Sequence, residues 1–165
     1  MADRISKEKR SHIMSCIRSR GNRTTEIALL AAMRQFGISG WRRRSRLQGK
    51  PDFIFPKERV AVFVDGCFWH GCKKCGFVAT SNVDYWTPKI SATKKRDLTN
   101  ARLLRSAGWN VVRFWEHELK ASPSRCIGKL AKAIAEPPSV GGAPKASEAT
   151  PPSHRGTKDS KGRAA

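Results

Sequence analysis

The feature that most constrains this chain is residues 67–75, with the sequence CFWHGCKKC. The segment holds three thiols, one imidazole and two adjacent aromatic rings, and its cysteines have the spacing Cys67-x4-Cys72-x2-Cys75. A CxxC pair with a further cysteine nearby is typical of zinc sites, in which Zn²⁺ takes four ligands in a tetrahedron. The three cysteines therefore predict a zinc site that needs one more ligand.

His117, in the distant segment WEHE, is our choice for the fourth ligand, because it would fasten two remote parts of the chain together. His70 is the short-range alternative, but a ligand there would leave the segment without a base for chemistry. A second alternative is that the cysteines are unconnected, reduced thiols, as is usual in cytosolic proteins.

The charge of the chain is the second constraint. Lysine and arginine number 33 against 13 acidic residues, which gives a net charge of +20 in 165 residues. Such an excess predicts a phosphate backbone as partner. An anionic membrane surface is the alternative, but it would need a basic amphipathic helix with a broad apolar face, which no stretch shows convincingly. With no run near ~20 apolar residues and no signal peptide, we expect a cytoplasmic protein without membrane association.

Composition divides the chain into three regions. Residues 1–20 predict a basic arm that contacts DNA, with a helix over residues 6–18 and with Met14 and Ile17 as wedges for the minor groove. A frayed, solvated arm is the alternative. Residues 21–136 predict the folded domain. Residues 137–165 are dominated by Pro, Gly, Ala, Ser and Lys, and we expect them to form a disordered basic tail.

The apolar pattern of residues 21–136 predicts an α/β domain. Thr24 or Thr25 would cap a helix that Gly37 ends, and Pro123 would open the last helix. Residues 52–55, 59–65 and 110–115 read as strands, residues 77–87 as irregular, and residues 91–107 as a helix. This order favours a mixed central sheet flanked by helices.

Several charged residues are candidates for binding a metal ion or a phosphate group. Asp52 begins an apolar strand and Asp65 ends one, and a divalent cation is a natural partner for carboxylates at such positions. A plain turn acid after proline is the alternative for Asp52. Glu26 lies in the first turn of a predicted helix. Its negative charge there is explained by a favourable interaction with the positive end of the helix dipole, so a catalytic role needs other evidence. The basic run over residues 42–46 predicts phosphate contacts, with a solvated basic face as the alternative.

Several motifs between residues 3 and 136 match one known family in order and at close to its spacing. The most specific is the run DGCFWHGC, residues 65–72, followed by Cys75. The others are Met14-x2-Ile17, Glu26, Pro51-Asp52-Phe53, Tyr85-Trp86-x2-Lys89-Ile90, Arg96-Asp97 and Gly108-Trp109-x-Val111. From residue 3 to residue 136 the chain thus resembles the very short patch repair (Vsr) DNA mismatch endonuclease family.

The resemblance implies a restriction-endonuclease-like fold with a structural zinc held by Cys67, Cys72, Cys75 and His117. It also implies a Mg²⁺-dependent endonuclease that nicks one strand of duplex DNA beside T·G mispairs. These mispairs arise from deamination of 5-methylcytosine, and the nick initiates very short patch repair. Such a protein would be bacterial and monomeric, and functionally linked to a cytosine-5 methyltransferase and to general mismatch-repair proteins.

The family's catalytic roles transfer to matching positions of this sequence. Asp52 would hold Mg²⁺, helped by the backbone carbonyl of Val64 and, through water, by Glu26. His70 would be the general base or proton shuttle, and Asp97 would orient and polarise its imidazole.

The larger endonuclease superfamily carries an acid-x-Lys motif after its first aspartate. Here Asp65-Gly66-Cys67 has the acid but no lysine, so His70 must take over that part of the mechanism. Asp65 is then open to a role as an additional metal ligand.

Phe68, Trp69 and Trp86 resemble the aromatic residues that the family inserts beside the mismatched pair. A T·G wobble stacks poorly, so opening it costs less than opening a matched step. The alternative is that Phe68 and Trp69 are core residues under the zinc loop.

Two other functions remain open. One is an endonuclease or nickase of the same fold that acts on matched DNA in a restriction system. The other is a non-catalytic zinc DNA-binding module, which would leave Asp52, His70 and Asp97 unexplained.

Overall fold

The sheet of this protein carries the residues of greatest interest at its strand ends. In the computed structural model, residues 21–75 and 82–136 are described, together with Ser6, Lys9 and His12. In chain order the elements within these ranges are α1 (Glu26–Gln35), β1 (Phe53–Phe55), β2 (Val60–Asp65), α2 (Val83–Ser106), β3 (Asn110–Trp115), α3 (Glu116–Ala121) and α4 (Pro123–Ala135).

The three strands form one mixed sheet in the order β1-β2-β3. β1 runs antiparallel to β2, with Phe53 opposite Val62. β3 runs parallel to β2, with Val62 opposite Val112, and the long helix α2 makes the crossover that parallel neighbours require. The prediction of an α/β domain with a mixed sheet flanked by helices is thereby confirmed.

The two faces of the sheet differ in chemistry because strand side chains alternate between them. One face packs with α1 and α4 into a core of buried apolar side chains: Leu29, Leu30, Met33, Phe53, Phe55, Val60, Val62, Val64, Val112, Phe114, Leu119, Ile127 and Leu130. Each fully buried side chain of this size contributes about 1.5–3 kcal/mol. The other face carries Phe63, Asp65 and Arg113 towards α2, and its charged residues help to build the site described below.

The long helix differs from the sequence prediction. It begins at Val83 rather than at Ser91, so the prediction of irregular structure is wrong for residues 83–87, while residues 77–81 lie outside the described residues. Pro88 lies inside the helix, where its missing N–H and its ring work against helical hydrogen bonding. The buried ring of Trp86 in the same turns supplies packing that outweighs this local preference.

Smaller predictions at the element ends also have outcomes. Pro123 does begin the last helix, and Thr25 holds the N-cap position of α1, although without a side-chain hydrogen bond. Residues 42–46 form a loop in which only Arg42 bridges to Ile54 of β1. Met14, Ile17 and the predicted tail over residues 137–165 lie outside the described residues. In the described part of the chain, no helix is long and apolar enough to cross a membrane.

Candidate active site and metal centre

The four predicted soft ligands converge at one end of the sheet. The ligand atoms of Cys67, Cys72, Cys75 and His117 all lie within 4.8 Å of one another. His117 Nδ1 is 3.3 Å from the Cys67 sulfur and 3.6 Å from the Cys72 sulfur. Tetrahedral bonds of about 2.3 Å to sulfur and about 2.0 Å to nitrogen would place such atoms roughly 3.5 Å apart. Donor chemistry and spacing thus fit a Cys3His metal site.

Two short segments position these ligands. After β2 the chain turns tightly, and the Cys72 amide donates to the Cys67 carbonyl at 2.9 Å. Gly71 has a φ of +60°, and a Cβ there would lie 2.7 Å from Ile90 Cγ2, so both conformation and space require glycine. His117 follows β3 directly in α3, whose first turn is held by the Trp115 amide donating to Glu118 Oε2 at 2.9 Å.

The pKa of the Cys67 thiol shows that the cluster disfavours a thiolate when no cation is bound. Burial, reinforced by the neighbouring Cys75, raises the pKa of Cys67 to about 12. A coordinated cation reverses such a shift, because a ligating thiol is bound as the thiolate.

Asp52 is held in place by the pairing of β1 with β2. Its amide donates to the Val62 carbonyl at 2.9 Å, and its carboxylate Oδ2 accepts from the Val64 amide at 2.8 Å. Burial raises the pKa of Asp52 to about 6, with smaller increases from Glu26 and Asp65. The site therefore concentrates carboxylate charge in a half-buried position, which suits a divalent cation with oxygen ligands.

Glu26 is buried in the first turn of α1 and already has two partners. Its Oε1 accepts from the Arg43 guanidinium, including Nε at 2.9 Å, and its Oε2 accepts from the Gly21 amide. Both carboxylate oxygens thus already accept hydrogen bonds, which leaves Glu26 less free than Asp52 to bind a metal directly. The sequence indicated Arg43 only as one of a run of phosphate contacts.

An open cleft of about 610 Å³ exposes Asp52 and Glu26 to solvent. Its remaining lining residues are mostly basic or small: Gly21, Arg43, Arg44, Ser45, Lys50 and Pro51. Two carboxylates beside three cationic side chains suit a phosphodiester that enters together with a divalent cation.

His70 and Asp97 form a hydrogen-bonded pair beside this carboxylate group. His70 Nδ1 lies 2.6 Å from Asp97 Oδ2, and the charge of His70 lowers the pKa of Asp52. Burial favours the neutral form of Asp97, but the hydrogen bond and charge of His70, together with Arg113 and Arg96, lower its pKa overall. Asp97 is thus a carboxylate that fixes the ring at Nδ1 and leaves Nε2 for acid–base chemistry.

Asp65 has a partner that differs from the expected one. It is 4% exposed, and its two oxygens accept from Arg113 Nε at 2.7 Å and Nη2 at 2.8 Å. This bidentate pair occupies the carboxylate, so the structure does not present Asp65 as an additional metal ligand. Sequence reasoning missed Arg113, although it is the only charged residue in the apolar segment over residues 110–115.

The three aromatic residues singled out in the sequence contact one another. Ring centroids are 5.2 Å apart for Phe68 and Trp69, 5.0 Å for Phe68 and Trp86, and 5.6 Å for Trp69 and Trp86. Trp86 is 8% exposed and packs edge-on against the half-buried rings of both Phe68 and Trp69. Tyr85, which the sequence did not single out as a site residue, is 57% exposed and packs edge-on against Trp86 at 5.0 Å.

Comparisons with known proteins agree with this arrangement. Residues 2–76, which include Glu26, Asp52, His70 and the three cysteines, match the family model described as DNA mismatch endonuclease Vsr. The chain is 40% identical over 121 residues to the type II nicking enzyme V.XorIIP of Xanthomonas oryzae pv. oryzae, an alignment that covers 72% of this chain and 88% of that protein.

Two further relatives show similar coverage. The type II nicking enzyme V.NmeDIP of Neisseria meningitidis serogroup C is 35% identical over 134 residues, covering 80% of this chain and 90% of that protein. The DNA mismatch endonuclease Vsr of Escherichia coli K12 is 31% identical over 121 residues, covering 73% and 77% respectively.

Proposed function

This chain belongs to the Vsr family of DNA endonucleases, and we propose that it nicks one strand of duplex DNA beside a T·G mismatch. The observation that carries the proposal is the position of Asp52. It lines a cleft with basic side chains and is close enough to His70, which is hydrogen-bonded to Asp97, for the charge of His70 to lower its pKa. The T·G pairs would arise from deamination of 5-methylcytosine, and the nick would initiate very short patch repair. The enzyme would act as a monomer, in functional partnership with a cytosine-5 methyltransferase and general mismatch-repair proteins.

The proposed fold is restriction-endonuclease-like. Support comes from the β1–β2 pairing, which sets Asp52 against β2 while α1 brings Glu26 into the same cleft. The proposed metal of the Cys3His centre is Zn²⁺, supported by three sulfur donors and one nitrogen at tetrahedral spacing. Its role would be structural, because all four ligands come from the protein.

Asp52 would hold Mg²⁺ together with the Val64 carbonyl, with Glu26 acting through water. The hard oxygen donors and the raised pKa of Asp52 support this assignment. Bound Mg²⁺ supplies neutralisation of the phosphoryl oxygens and activation of a water nucleophile. The engaged oxygens of Glu26 favour a water-mediated role over a direct one.

The protein's own residues provide the remaining chemistry. His70 would take a proton from the attacking water at Nε2, since Nδ1 is held by Asp97. Loss of such a general base typically lowers the rate about 10²–10⁴-fold. Arg44 and Lys50, on the wall of the cleft, would bind the phosphate backbone and orient the scissile bond.

Phe68 and Trp69, supported by Trp86, would stack on the opened mismatch. Stacking of one base on an aromatic side chain contributes about 1–3 kcal/mol. Because a T·G wobble opens at lower cost than a matched pair, this contribution favours the mismatch. Met14 and Ile17 would add wedges in the minor groove.

A nicking assay on pooled duplexes tests the proposal without assuming a sequence context. One pool carries a single T·G pair in randomised flanks, and the control pool carries T·A at the same position. Products are counted with Mg²⁺ and with EDTA. We expect Mg²⁺-dependent nicks beside T·G only, with the flanks of the nicked products giving the preferred context.

The second candidate function is a nickase for matched DNA, and the names of V.XorIIP and V.NmeDIP as type II nicking enzymes favour it. Equal nicking of the T·A and T·G pools would establish it and overturn mismatch specificity. Binding to both pools without Mg²⁺-dependent cleavage would instead indicate a non-catalytic DNA-binding module.

A further inference from the structure

Arg113 lies between the two carboxylates that surround His70. Its guanidinium holds both oxygens of Asp65 at 2.7 and 2.8 Å, and its Nη2 also lies 3.3 Å from Asp97 Oδ2. The three side chains are mostly buried, with exposures of 25% for Arg113, 6% for Asp65 and 14% for Asp97. Arg113 is therefore the common partner of both acids.

The sheet explains how Arg113 reaches this position. It occupies β3 in register with Phe63 of β2, and its neighbours Val112 and Phe114 point into the core on the opposite face. On its own face the guanidinium packs 5.1 Å from the Phe63 ring centroid and meets Asp97 of α2. The strand pairing and α2 together hold the arginine between the two acids.

The two acids compete for the same nitrogen of the histidine. His70 Nδ1 is 2.6 Å from Asp97 Oδ2 and 3.6 Å from Asp65 Oδ1. A small rotation of the ring would exchange one acceptor for the other and would turn Nε2 to a new direction. Arg113 donates to both oxygens of Asp65 at 2.7 and 2.8 Å but reaches Asp97 only at 3.3 Å, and this difference leaves Asp97 as the stronger acceptor for His70.

We propose that Arg113 is a positioning residue for nicking, which acts by withholding Asp65 from His70 and steadying Asp97. This role rests on the proposed function. In this role Asp65 holds Arg113 beside the His70–Asp97 pair and does not bind the metal. Burial opposes the charge of Arg113, but the hydrogen bonds and charges of Asp65, followed by Asp97, outweigh it and raise the pKa of the guanidinium, which keeps the bridge charged.

Arg113→Met tests the proposal. It removes the positive charge and the two parallel hydrogen bonds to Asp65, while it keeps a long apolar side chain over Phe63. Single-turnover nicking at saturating T·G DNA should fall roughly 10- to 100-fold, as for other partners that orient a functional imidazole. The DNA dissociation constant should stay within twofold, because Arg113 faces the dyad rather than the cleft. Arg125→Met, an exposed arginine on α4, is the matched control and should nick at the wild-type rate.

Two double variants separate positioning from general stability. Asp65→Asn with Arg113→Met should nick faster than Arg113→Met alone, because an amide is a weaker competitor for His70 Nδ1. In an Asp97→Ala background, Arg113→Met should cause little further loss, because the acceptor that it protects is already gone. Thermal melting and zinc content of every variant establish that the comparison is made between folded proteins.

A second measurement does not depend on activity. Long-range ¹H–¹⁵N correlation spectra report the hydrogen bonding of the His70 ring nitrogens, and Arg113→Met should change the Nδ1 signal while Arg125→Met should not. If Arg113→Met unfolds, Arg113→Lys supplies the test, since it keeps the charge but cannot hold two oxygens as a planar fork and should show a smaller loss.

The failure of this inference differs from the failure of the proposed function. Wild-type protein that does not nick T·G DNA refutes the function. Wild-type protein that does, with Arg113→Met equally fast or with fully additive loss in the Asp97→Ala background, overturns the role of Arg113.

Discussion

Asp52→Asn should stabilise the protein in the absence of Mg²⁺ while it abolishes nicking. The substitution keeps an oxygen that can accept from the Val64 amide at the position now 2.8 Å from it, but it removes the negative charge. In the folded chain, burial raises the pKa of Asp52 from its ordinary value of 3.8 to about 6. The ionised form of Asp52 is thus disfavoured by the fold, and the asparagine is not.

The magnitude follows from that pKa difference. A shift of about two pKa units corresponds to about 3 kcal/mol, which partial solvent access reduces to about 1–2 kcal/mol. For a carboxyl with a raised folded pKa, the loss of stability develops as pH rises from 3.8 to about 6 and is complete above it. At pH 7.5 without added Mg²⁺ and without a chelator, so that the zinc is retained, Asp52→Asn should therefore melt higher than wild type, by about 4 °C for each kcal/mol.

Thermal and chemical unfolding at two pH values checks this expectation. The advantage of Asp52→Asn should disappear at pH 4, where the wild-type carboxyl is protonated in the folded chain. Asp84→Asn, at an exposed position in the first turn of α2, is the matched control and should show no comparable gain. Added Mg²⁺ should raise the melting temperature of wild type but not of Asp52→Asn. Equal or lower stability of Asp52→Asn at pH 7.5 would refute the account of Asp52 as a carboxylate that awaits a cation.

Four further predictions concern the other parts of the site. Cys72→Ser should lose zinc and cooperative unfolding, because ligand binding contributes folding free energy; metal analysis with circular dichroism checks this, and a folded, metal-free, active variant would exclude the site. His70→Ala should lower nicking about 10²–10⁴-fold with zinc retained, whereas His117→Ala should lose zinc, and the reverse pattern would overturn both assignments. Phe68→Ala and Trp69→Ala should lower the ratio of T·G to T·A nicking with zinc content unchanged; an unchanged ratio would assign both rings to the core. Truncation after Glu136 should leave the melting temperature unchanged and weaken non-specific DNA binding at low salt, and a large loss of stability would move the domain boundary.

The sequence revealed the parts of this fold and site that depend on local pattern. Cysteine spacing indicated a metal site in residues 67–75, and apolar runs indicated the three strands, because both signals lie within a few consecutive residues. The start of α2 was misjudged for the complementary reason. Its first turns depend on burial of Trp86 against Phe68 and Trp69, a contact between segments that no local pattern carries.

The same limit explains why the two arginine pairs were missed. Arg43 binds Glu26 across 17 positions of sequence, and Arg113 binds Asp65 across 48. No local sequence pattern around either arginine indicates which carboxylate it pairs with. The sequence did contain one indication for Arg113, because a single charged residue in an otherwise apolar strand needs a partner when the sheet is half-buried. A search of the other strand ends for an unpaired carboxylate would have led to Asp65.

These two pairs give the carboxylates of the site different roles. Glu26 and Asp65 each have an arginine, whereas Asp52 has only a backbone amide among its described hydrogen bonds. Asp97 is shared between His70 and Arg113 and is thereby kept ionised beside the imidazole. Of the four acids, Asp52 is therefore the one without a side-chain partner among the described hydrogen bonds and ion pairs. That asymmetry supports the proposal that Asp52 holds the metal, in which the two arginines would keep Glu26 and Asp65 from competing for the metal or for His70.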